Sequence, residues 1–256
     1  MIECIGKWLA ASVLLGLISG SMVCSTVQAK ELVIAFTPDT PPYVMDDGKT
    51  GIEIEIVRAA LAPQGYSFTV RQMPYGELAD AVRIDDVDAA ATVTKMENGT
   101  FYSDAYITFH NAAITKKSAN HKIDSIEDLK GKTILAWENA YEDLGPKFEA
   151  LFSPSVKAPY RTKYHEIGNQ KDQVKEFWQA EDDVIVIGIT VMQWFTRELV
   201  DEVDTTAPLV YHKIFPANTK FRISFRSEQV RDDFNAGLKQ LRESGEYEKI
   251  YAKYLK

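Results

Sequence analysis

Hydroxyl and carboxylate side chains follow a short apolar run at residues 87–91. The chain continues as "TVTKMENG", which places Thr92, Thr94 and Glu97 at or just beyond the carboxyl end of a predicted buried strand. Polar groups at such strand ends are placed to bind small solutes at the edge of an α/β sheet. A purely structural alternative stays open, because alternate threonines are ordinary strand residues and a carboxylate before an Asn-Gly turn is commonly solvated.

A second group of polar and aromatic residues follows two strands in the other half of the chain. Trp137, Glu138 and Asn139 come directly after "KTILA", and Gly188 ends "DDVIVIG" with Gln193 near the start of the next predicted helix. We expect one or two of Trp137, Glu138 and Asn139 to lie at a binding edge of the same kind. Trp137 is equally well explained as a core residue.

Residue types that perform catalysis or hold metals are sparse. The four histidines lie far apart without metal-ligand spacing, and the chain has no Gly-x-Ser-x-Gly elbow and no phosphate-binding glycine-rich loop. We therefore expect no metal and no cofactor, and the chemistry that remains is the binding of a solute.

The apolar periodicity predicts the elements that must position these residues. "ELVIAF", "YSFTVRQM" and "VDAAATVT" have the pattern of strands, and "GIEIEIVRAAL" and "YGELADAVRI" that of helices. This βαβαβ order predicts an α/β unit with parallel strands. A second unit begins near residue 118 with a capping box at Ser125 and Asp128, and it again alternates strands with helices, among them "YEDLGPKFEALF".

The first 29 residues have the features of a secretory signal peptide. An apolar stretch follows Lys7, and Val27-Gln28-Ala29 is a small-residue cleavage site. Lipidation at Cys24 is the less favoured alternative, because the residues before it match a lipobox poorly. We expect a periplasmic mature protein that lacks Cys4 and Cys24 and does not insert into the membrane.

The net charge of the chain makes some classes of binding partner unlikely. Cleavage removes one lysine and one glutamate, so the net charge stays at −8. An acidic chain is a poor ligand for nucleic acid or for anionic membrane surfaces. A small molecule is the expected partner.

The order of several segments resembles one protein family. These segments are "TPPYVMDDGKTGIEIEIVRAAL", "TVTKMENGTFYSDAYITF", "SIEDLKGKTI" and "GEYEKIYAKYL". Together they are similar to family 3 of the bacterial periplasmic solute-binding proteins, the class of the polar amino-acid-binding proteins of ABC transporters. The resemblance covers nearly all of the mature chain.

The resemblance implies the type II periplasmic-binding fold, with two α/β lobes joined by two hinge strands and closing over a ligand. Carried onto this chain, lobe 1 takes residues 30–117 and 219–256, and lobe 2 takes residues 118–218. Members of the family commonly place an aromatic side chain against the ligand near Tyr43, and Tyr75 is a weaker candidate of the same kind. A loop aromatic packed on its own lobe is the alternative for Tyr43.

The sequence departs from the family at three ligand-binding positions. The arginine that clamps an α-carboxylate a few residues after Thr94 is absent, and Lys95 is the nearest cation. Gly188 occupies the position of the aspartate that binds the α-ammonium group. Trp137-Glu138-Asn139 replaces a Gly-Thr or Gly-Ser step. We therefore expect a neutral or cationic ligand, stacked on Tyr43 or Trp137, that is not a standard α-amino acid.

The resemblance and these departures predict a monomeric, non-catalytic solute-binding protein that delivers its ligand to an ABC permease or a membrane sensor. The alternative is a dehydratase-like enzyme on the same fold. The expected ligand-binding residues are Tyr43, Tyr75, Thr92, Thr94, Glu97, Trp137, Glu138, Asn139, Gly188 and Gln193.

Overall fold

The computed structural model describes residues 29–84, 86–94, 97–181, 183–216 and 218–255. The predicted signal peptide up to residue 28, with Cys4 and Cys24, lies outside the described residues, and so does Lys95. No helix among the described residues is long and apolar enough to cross a membrane.

Strands and helices alternate along the chain as the periodicity predicts. The strands are β1 (Lys30–Phe36), β2 (Tyr66–Gln72), β3 (Ala89–Val93), β4 (Phe101–Tyr102), β5 (Ile107–Phe109), β6 (Asn111–Lys116), β7 (Ile134–Ala136), β8 (Tyr164–Glu166), β9 (Val184–Gly188), β10 (Leu209–His212) and β11 (Thr219–Phe225). The helices are α1 (Ile52–Leu61), α2 (Tyr75–Ile84), α3 (Ala140–Asp143), α4 (Pro146–Phe152), α5 (Gln170–Gln179), α6 (Ile189–Glu198), α7 (Glu228–Glu243) and α8 (Glu246–Tyr254).

Lobe 1 is built on a sheet with the strand order β2-β1-β3-β11-β4, and β5 also pairs with β11. β1 is parallel to both β2 and β3, which confirms the predicted parallel unit. β11 returns from the far end of the chain and runs antiparallel to β3. The three parallel strands therefore end at the same edge of the sheet, next to Thr37 and Thr92.

Helices α1 and α7 pack closely together on lobe 1. The contact depends on Gly237 in α7, because a Cβ at this position would lie 1.9 Å from the backbone oxygen of Ala60 in α1. The absence of a side chain lets the two backbones touch, which holds α7 against the carboxyl-terminal end of α1.

Lobe 2 is built on a second sheet with the strand order β10-β6-β9-β7-β8. β7 is parallel to β8 and β9, and β6 runs antiparallel to β9 and β10. The predicted capping box at Ser125 and Asp128 is present at the start of a short 3₁₀ helix. The two sheets with their helices confirm the predicted α/β class with two lobes.

The chain crosses between the lobes twice, on neighbouring strands. The first crossing is at His110, between β5 and β6, and the second lies between β10 and β11. The expected boundary at residue 117 assigned β6 to lobe 1. The structure places β6 in the second sheet, because Asn111 to Ile114 pair with β9.

The predicted single helix "YEDLGPKFEALF" consists of two helices in the structure. α3 ends at Asp143, and α4 begins at Pro146 after Gly145, whose φ is 93°. Proline lacks the amide hydrogen that a continuous helix needs, and it fits the first turn of a new helix. The break places Asp143 at the end of a short helix beside the cleft.

Candidate ligand-binding site

A cleft lies between the lobes and is lined by residues of both. It has about 740 Å³ of free space, its open mouth included. Lobe 1 contributes Thr37, Pro38, Asp39, Thr40, Glu53, Tyr75, Thr92, Phe109 and Phe221. Lobe 2 contributes Asn111, Trp137, Glu138, Gly168, Asn169, Gln170, Gly188 and Val191.

The floor of the cleft on lobe 1 contains a buried carboxyl group, Glu53, in the first turn of α1. Its side chain is 1% exposed, and its Oε2 accepts a hydrogen bond from Thr92 Oγ1 at 2.6 Å and a second one from the Tyr106 hydroxyl. Burial raises the pKa of Glu53 to about 7 and outweighs the two hydrogen bonds, which lower it. This carboxyl group therefore changes its charge near neutral pH.

Thr92 has a backbone conformation that β-branched residues rarely adopt. Its φ is 56°, in the left-handed region, although it stands within β3. Its amide donates to the Tyr106 hydroxyl at 3.3 Å while its own hydroxyl donates to Glu53. These two bonds offset the strain and hold the end of β3 against the carboxyl group.

Aromatic rings form the wall of the cleft beside the two crossings. Phe109 packs edge-on against Phe221 with ring centres 5.4 Å apart, and Phe221 packs edge-on against Tyr75 at 6.4 Å. Tyr43 is 3% exposed and stacks behind Phe109 at 4.2 Å, so it supports the wall without lining the cleft. A flat or apolar part of a solute has rings to pack on here.

Three hydrogen bonds beside the cleft involve carboxyl groups of lobe 2, and two of them come from lobe 1. The Tyr75 hydroxyl on lobe 1 donates to Oδ2 of Asp143 on lobe 2, and Trp137 Nε1 donates to the same oxygen at 3.3 Å. The amide of Gly76 donates to Glu138 Oε2 at 3.4 Å. Burial raises the pKa of Asp143 to about 6. Tyr75 and Gly76 thus tie the start of α2 to lobe 2.

Glycines on lobe 2 leave room for the polar lining. A Cβ at Gly168 would lie 2.9 Å from Glu138 Oε1, and one at Gly188 would lie 3.3 Å from Cδ1 of Phe109. Asn111 Nδ2 donates to Thr219 Oγ1 at 3.0 Å and so links the two crossing strands. The positions of the Glu138 carboxyl group and of the Phe109 ring therefore depend on Gly168 and Gly188.

The structure brings together about half of the expected site residues. Tyr75, Thr92, Trp137, Glu138 and Gly188 line the cleft.

The other expected residues lie elsewhere. Thr94 and Asn139 line a second, adjoining cavity, which Tyr75 and Thr92 also border. Glu97 and Gln193 are exposed and line neither cavity. Tyr43 lies behind Phe109, as described above.

Sequence reasoning missed several lining residues, above all Glu53. It stands in "GIEIEI", where glutamates alternate with isoleucines, and that pattern does not distinguish a buried carboxylate from a solvated one. Phe109, Asn111 and Phe221 were also missed, because strand periodicity predicts burial but does not show that two strands cross side by side. Glu53 is the second residue after Gly51, in the first turn of α1, and this place at a helix start is the one local signal that singles it out.

The cleft is acidic. Asp39, Glu53 and Glu138 line it, and among the described residues none of the lining side chains is basic. Within the described ranges, no three His, Cys, Asp or Glu side chains come together as a metal site. A cation is the ligand charge that this lining favours.

Comparison with known proteins identifies the family. The model of the bacterial extracellular solute-binding proteins, family 3, matches residues 32–256. The chain belongs to this family. The match extends over both lobes of the family 3 protein, so the cleft lies between the two halves of one solute-binding unit.

Named relatives of this family 3 protein include two arginine-binding proteins. It is 24% identical to the arginine-binding extracellular protein ArtP of Bacillus subtilis (strain 168), over 88% of this chain and 86% of the relative. It is 23% identical to the arginine-binding periplasmic protein of Mannheimia haemolytica, over 94% of this chain and 97% of the relative.

Solved structures share the fold of the family 3 protein. A histidine kinase sensor domain with similarity to periplasmic binding proteins superposes with a TM-score of 0.71 and 21% identity, covering 89% of this chain and 97% of that one. An ancestral arginine-binding protein bound to arginine superposes with a TM-score of 0.70 and 20% identity, covering 90% of this chain and 100% of that one. At this identity the likeness establishes the type II periplasmic-binding fold.

Proposed function

We propose that this protein captures a small, positively charged solute in the cleft between its lobes and presents the closed, occupied form to an ABC permease or a membrane sensor. The observation that supports this function is the lining of the cleft, in which three carboxyl groups and several aromatic rings occur without a basic side chain among the described residues.

Electrostatics favour a cation over an anion at this site. A carboxylate ligand needs donors or cations that replace its lost water, and an isolated ion in a poorly solvated site is strongly disfavoured. A cation gains partners in Asp39, Glu53 and Glu138, and the rings of Tyr75 and Trp137 add a cation–π surface. Two relatives are arginine-binding proteins, whose ligand has a cationic side chain.

We further propose that the preferred solute is not a standard α-amino acid. The arginine that holds the α-carboxylate in the resembling family is missing from the sequence, and no described lining residue supplies a cation in its place. An amine without a carboxylate avoids that deficit. Agmatine, which is arginine without its carboxylate, is therefore a sharper probe than arginine itself.

An enzymatic function is the second candidate, and Glu53 is the observation that favours it. A carboxyl group with a pKa of about 7 inside a cleft has the acidity of a general acid. A dehydratase acting on a dianionic substrate also needs cations to hold it, and the described lining lacks them. Binding without catalysis is therefore the better supported function. Dehydration of a prephenate-like acid by the purified protein, abolished by Glu53→Gln, would reverse this order.

A thermal-shift comparison tests the proposed ligand class. The protein is first unfolded, dialysed and refolded to remove bound solute, and then melted with agmatine, L-arginine, L-citrulline, L-glutamate or glucose. A true ligand at 100 times its Kd stabilises by about 2.7 kcal/mol, which raises the Tm by a few degrees. We expect the largest shift with agmatine. A larger shift with glutamate or glucose than with either cation would contradict the proposal.

The choice between import and sensing depends on the partner. A histidine kinase sensor domain shares the fold, which supports retaining sensing beside import as a proposed role. A permease gene and an ATPase gene beside this one would favour import, and a sensor kinase gene would favour signalling.

A further inference from the structure

The Glu53 carboxyl group has one oxygen that the protein uses and one that it does not. The hydroxyls of Thr92 and Tyr106 both donate to Oε2. Within the described ranges no hydrogen bond to Oε1 is found. Because Glu53 lines the cleft and is 1% exposed, a solute in the cleft is the partner available to Oε1.

The titratable groups that face Glu53 do not neutralise it. They are the phenols of Tyr43 from the loop after β1, Tyr75 from α2, Tyr106 from the segment before β5 and Tyr251 from α8. Burial raises the pKa of each of these hydroxyls, so they remain protonated and uncharged at physiological pH. The other two carboxyl groups of the lining, Asp39 on lobe 1 and Glu138 on lobe 2, have the same sign of charge as Glu53. Among the described residues, the ionised form of Glu53 therefore has no counter-ion.

We propose that Glu53 is the charge-selecting residue of the cleft, and that a cationic solute displaces the proton of Glu53 into the solvent when it binds. This inference rests on the proposed function, because it requires a positively charged solute. The step is balanced at Glu53: one positive group of the solute takes its place beside the carboxylate, and the displaced proton leaves to the buffer.

This exchange explains how a cation can enter a buried acidic site at low cost. A carboxylate in the empty cleft is penalised by burial, so it holds a proton, and its pKa of about 7 places the exchange near neutral pH. The arriving cation restores the ionised form and pairs with it. A neutral solute of the same shape gains no such pair, which gives the cleft its discrimination.

The mechanism predicts a specific pH dependence. Proton and cation compete for one carboxyl group, so each weakens the binding of the other by the same factor. The affinity for a cation should fall by about tenfold per pH unit below the pKa of Glu53 and level off above it. The affinity for a neutral solute should not follow this curve.

Calorimetry tests the proton release directly. Agmatine and L-arginine are titrated into the protein at pH 6, 7 and 8.5. At each pH two buffers are used that titrate near that pH and differ in their heats of ionisation, and the difference in measured heat reveals the protons released. We expect close to one proton at pH 6 and close to none at pH 8.5. This measurement uses the unaltered protein and does not depend on the folding of any variant.

Glu53→Gln provides the second arm, with L-citrulline as the neutral probe. The amide keeps the size of the side chain and an oxygen that accepts from Thr92 and Tyr106. We expect the variant to lose the proton release and to bind agmatine at least about tenfold more weakly, as for loss of one partner of a buried charge pair. Its affinity for L-citrulline should change by less than about threefold. Glu248→Gln, at an exposed position of α8, is the matched control and should behave as the unaltered protein.

The outcomes separate the inference from the proposed function. Tight agmatine binding without proton release, and unchanged in Glu53→Gln, would overturn the role of Glu53 and leave a cation-binding protein. Binding of neither cationic probe would overturn both. Equal losses for agmatine and L-citrulline in the variant would make Glu53 a structural residue and also overturn its role.

Discussion

The Tyr75 hydroxyl on α2 donates a hydrogen bond to the Asp143 carboxyl group at the end of α3, on the opposite side of the cleft. Trp137 Nε1 donates to the same oxygen at 3.3 Å, so one carboxyl oxygen receives a donor from each lobe. This contact joins the lobes beside the cleft without using the hinge strands.

Tyr75→Phe should shift the protein toward an open form. The change keeps the ring against Phe221 but removes one donor from a largely buried carboxyl group, which costs the closed form about 1–3 kcal/mol. We expect a larger radius of gyration in small-angle scattering of the solute-free protein. Tyr102→Phe, which loses a bond to Asn98 within lobe 1, is the control and should leave the radius unchanged. Equal radii for both variants would show that the Tyr75 bond does not hold the lobes together.

Glu53→Gln should stabilise the solute-free protein at high pH and not at low pH. The pKa of Glu53 is raised from 4.5 to about 7 in the folded state, so the folded state holds more protons than the unfolded state between these values. The stability contributed by Glu53 is therefore complete below pH 4.5 and is lost as the pH rises through 7. The variant should gain about 3 kcal/mol on the unaltered protein by pH 8.5. Urea unfolding from pH 4.5 to 8.5 measures the difference, and a difference that is constant with pH would refute the buried titration.

Asp39→Asn should have a small effect on cation binding that depends on salt. Asp39 lines the cleft but is exposed at its mouth, where it accepts from Gln72 Nε2 at 3.2 Å. Exposed charge pairs contribute about 0.2–1 kcal/mol and are screened at high ionic strength. We expect the Kd for agmatine to rise by less than about fivefold at low salt, and this loss to vanish at 1 M salt. A loss as large as that of Glu53→Gln would place the main charge at the mouth of the cleft instead of its floor.

Gly237→Ala should destabilise the fold without touching the cleft. The new methyl group would lie 1.9 Å from the Ala60 oxygen, so α7 must move away from α1. We expect a loss of more than about 3 kcal/mol, or a fall in Tm of roughly 6–12 °C.

Gly131→Ala separates this clash from the cost of backbone strain. Its φ is 80° and no atom lies within 4 Å of the added Cβ, so the expected cost is about 1 kcal/mol. If the two substitutions lowered the Tm equally, close packing of α1 on α7 would not be the reason for the glycine at position 237.

The fold follows from the sequence because its signals are local and repeated. β1, α1, β2, α2 and β3 each have their own periodicity, and their order alone requires a parallel unit. The division of the lobes is harder to predict, since β6 is a strand in either lobe and only its pairing with β9 decides the matter. The break between α3 and α4 is predictable from the sequence, because Gly145 and Pro146 stand at it.

The site follows from the sequence only where polar residues stand at strand ends. Thr92, Trp137 and Glu138 are of this kind and line the cleft. Glu53 does not stand at a strand end. Its burial results from Thr92, Tyr106 and α8, which lie far from it in the chain, so no local pattern predicts it. Phe109 and Phe221 are brought together by the pairing of β5 with β11, which is equally invisible in local pattern.

The late return of β11 also sets the order in which the lobes can be completed during synthesis. β11 lies between β3 and β4, yet the whole of lobe 2 separates it from them in the chain. A nascent chain that ends at residue 216 contains every strand of the second sheet, whereas the first sheet still lacks β11 and the helices α7 and α8. Such a chain has an unpaired edge at β3, and unpaired edges recruit strands from other molecules. Premature termination between β10 and β11 would therefore yield an aggregation-prone product with one finished lobe.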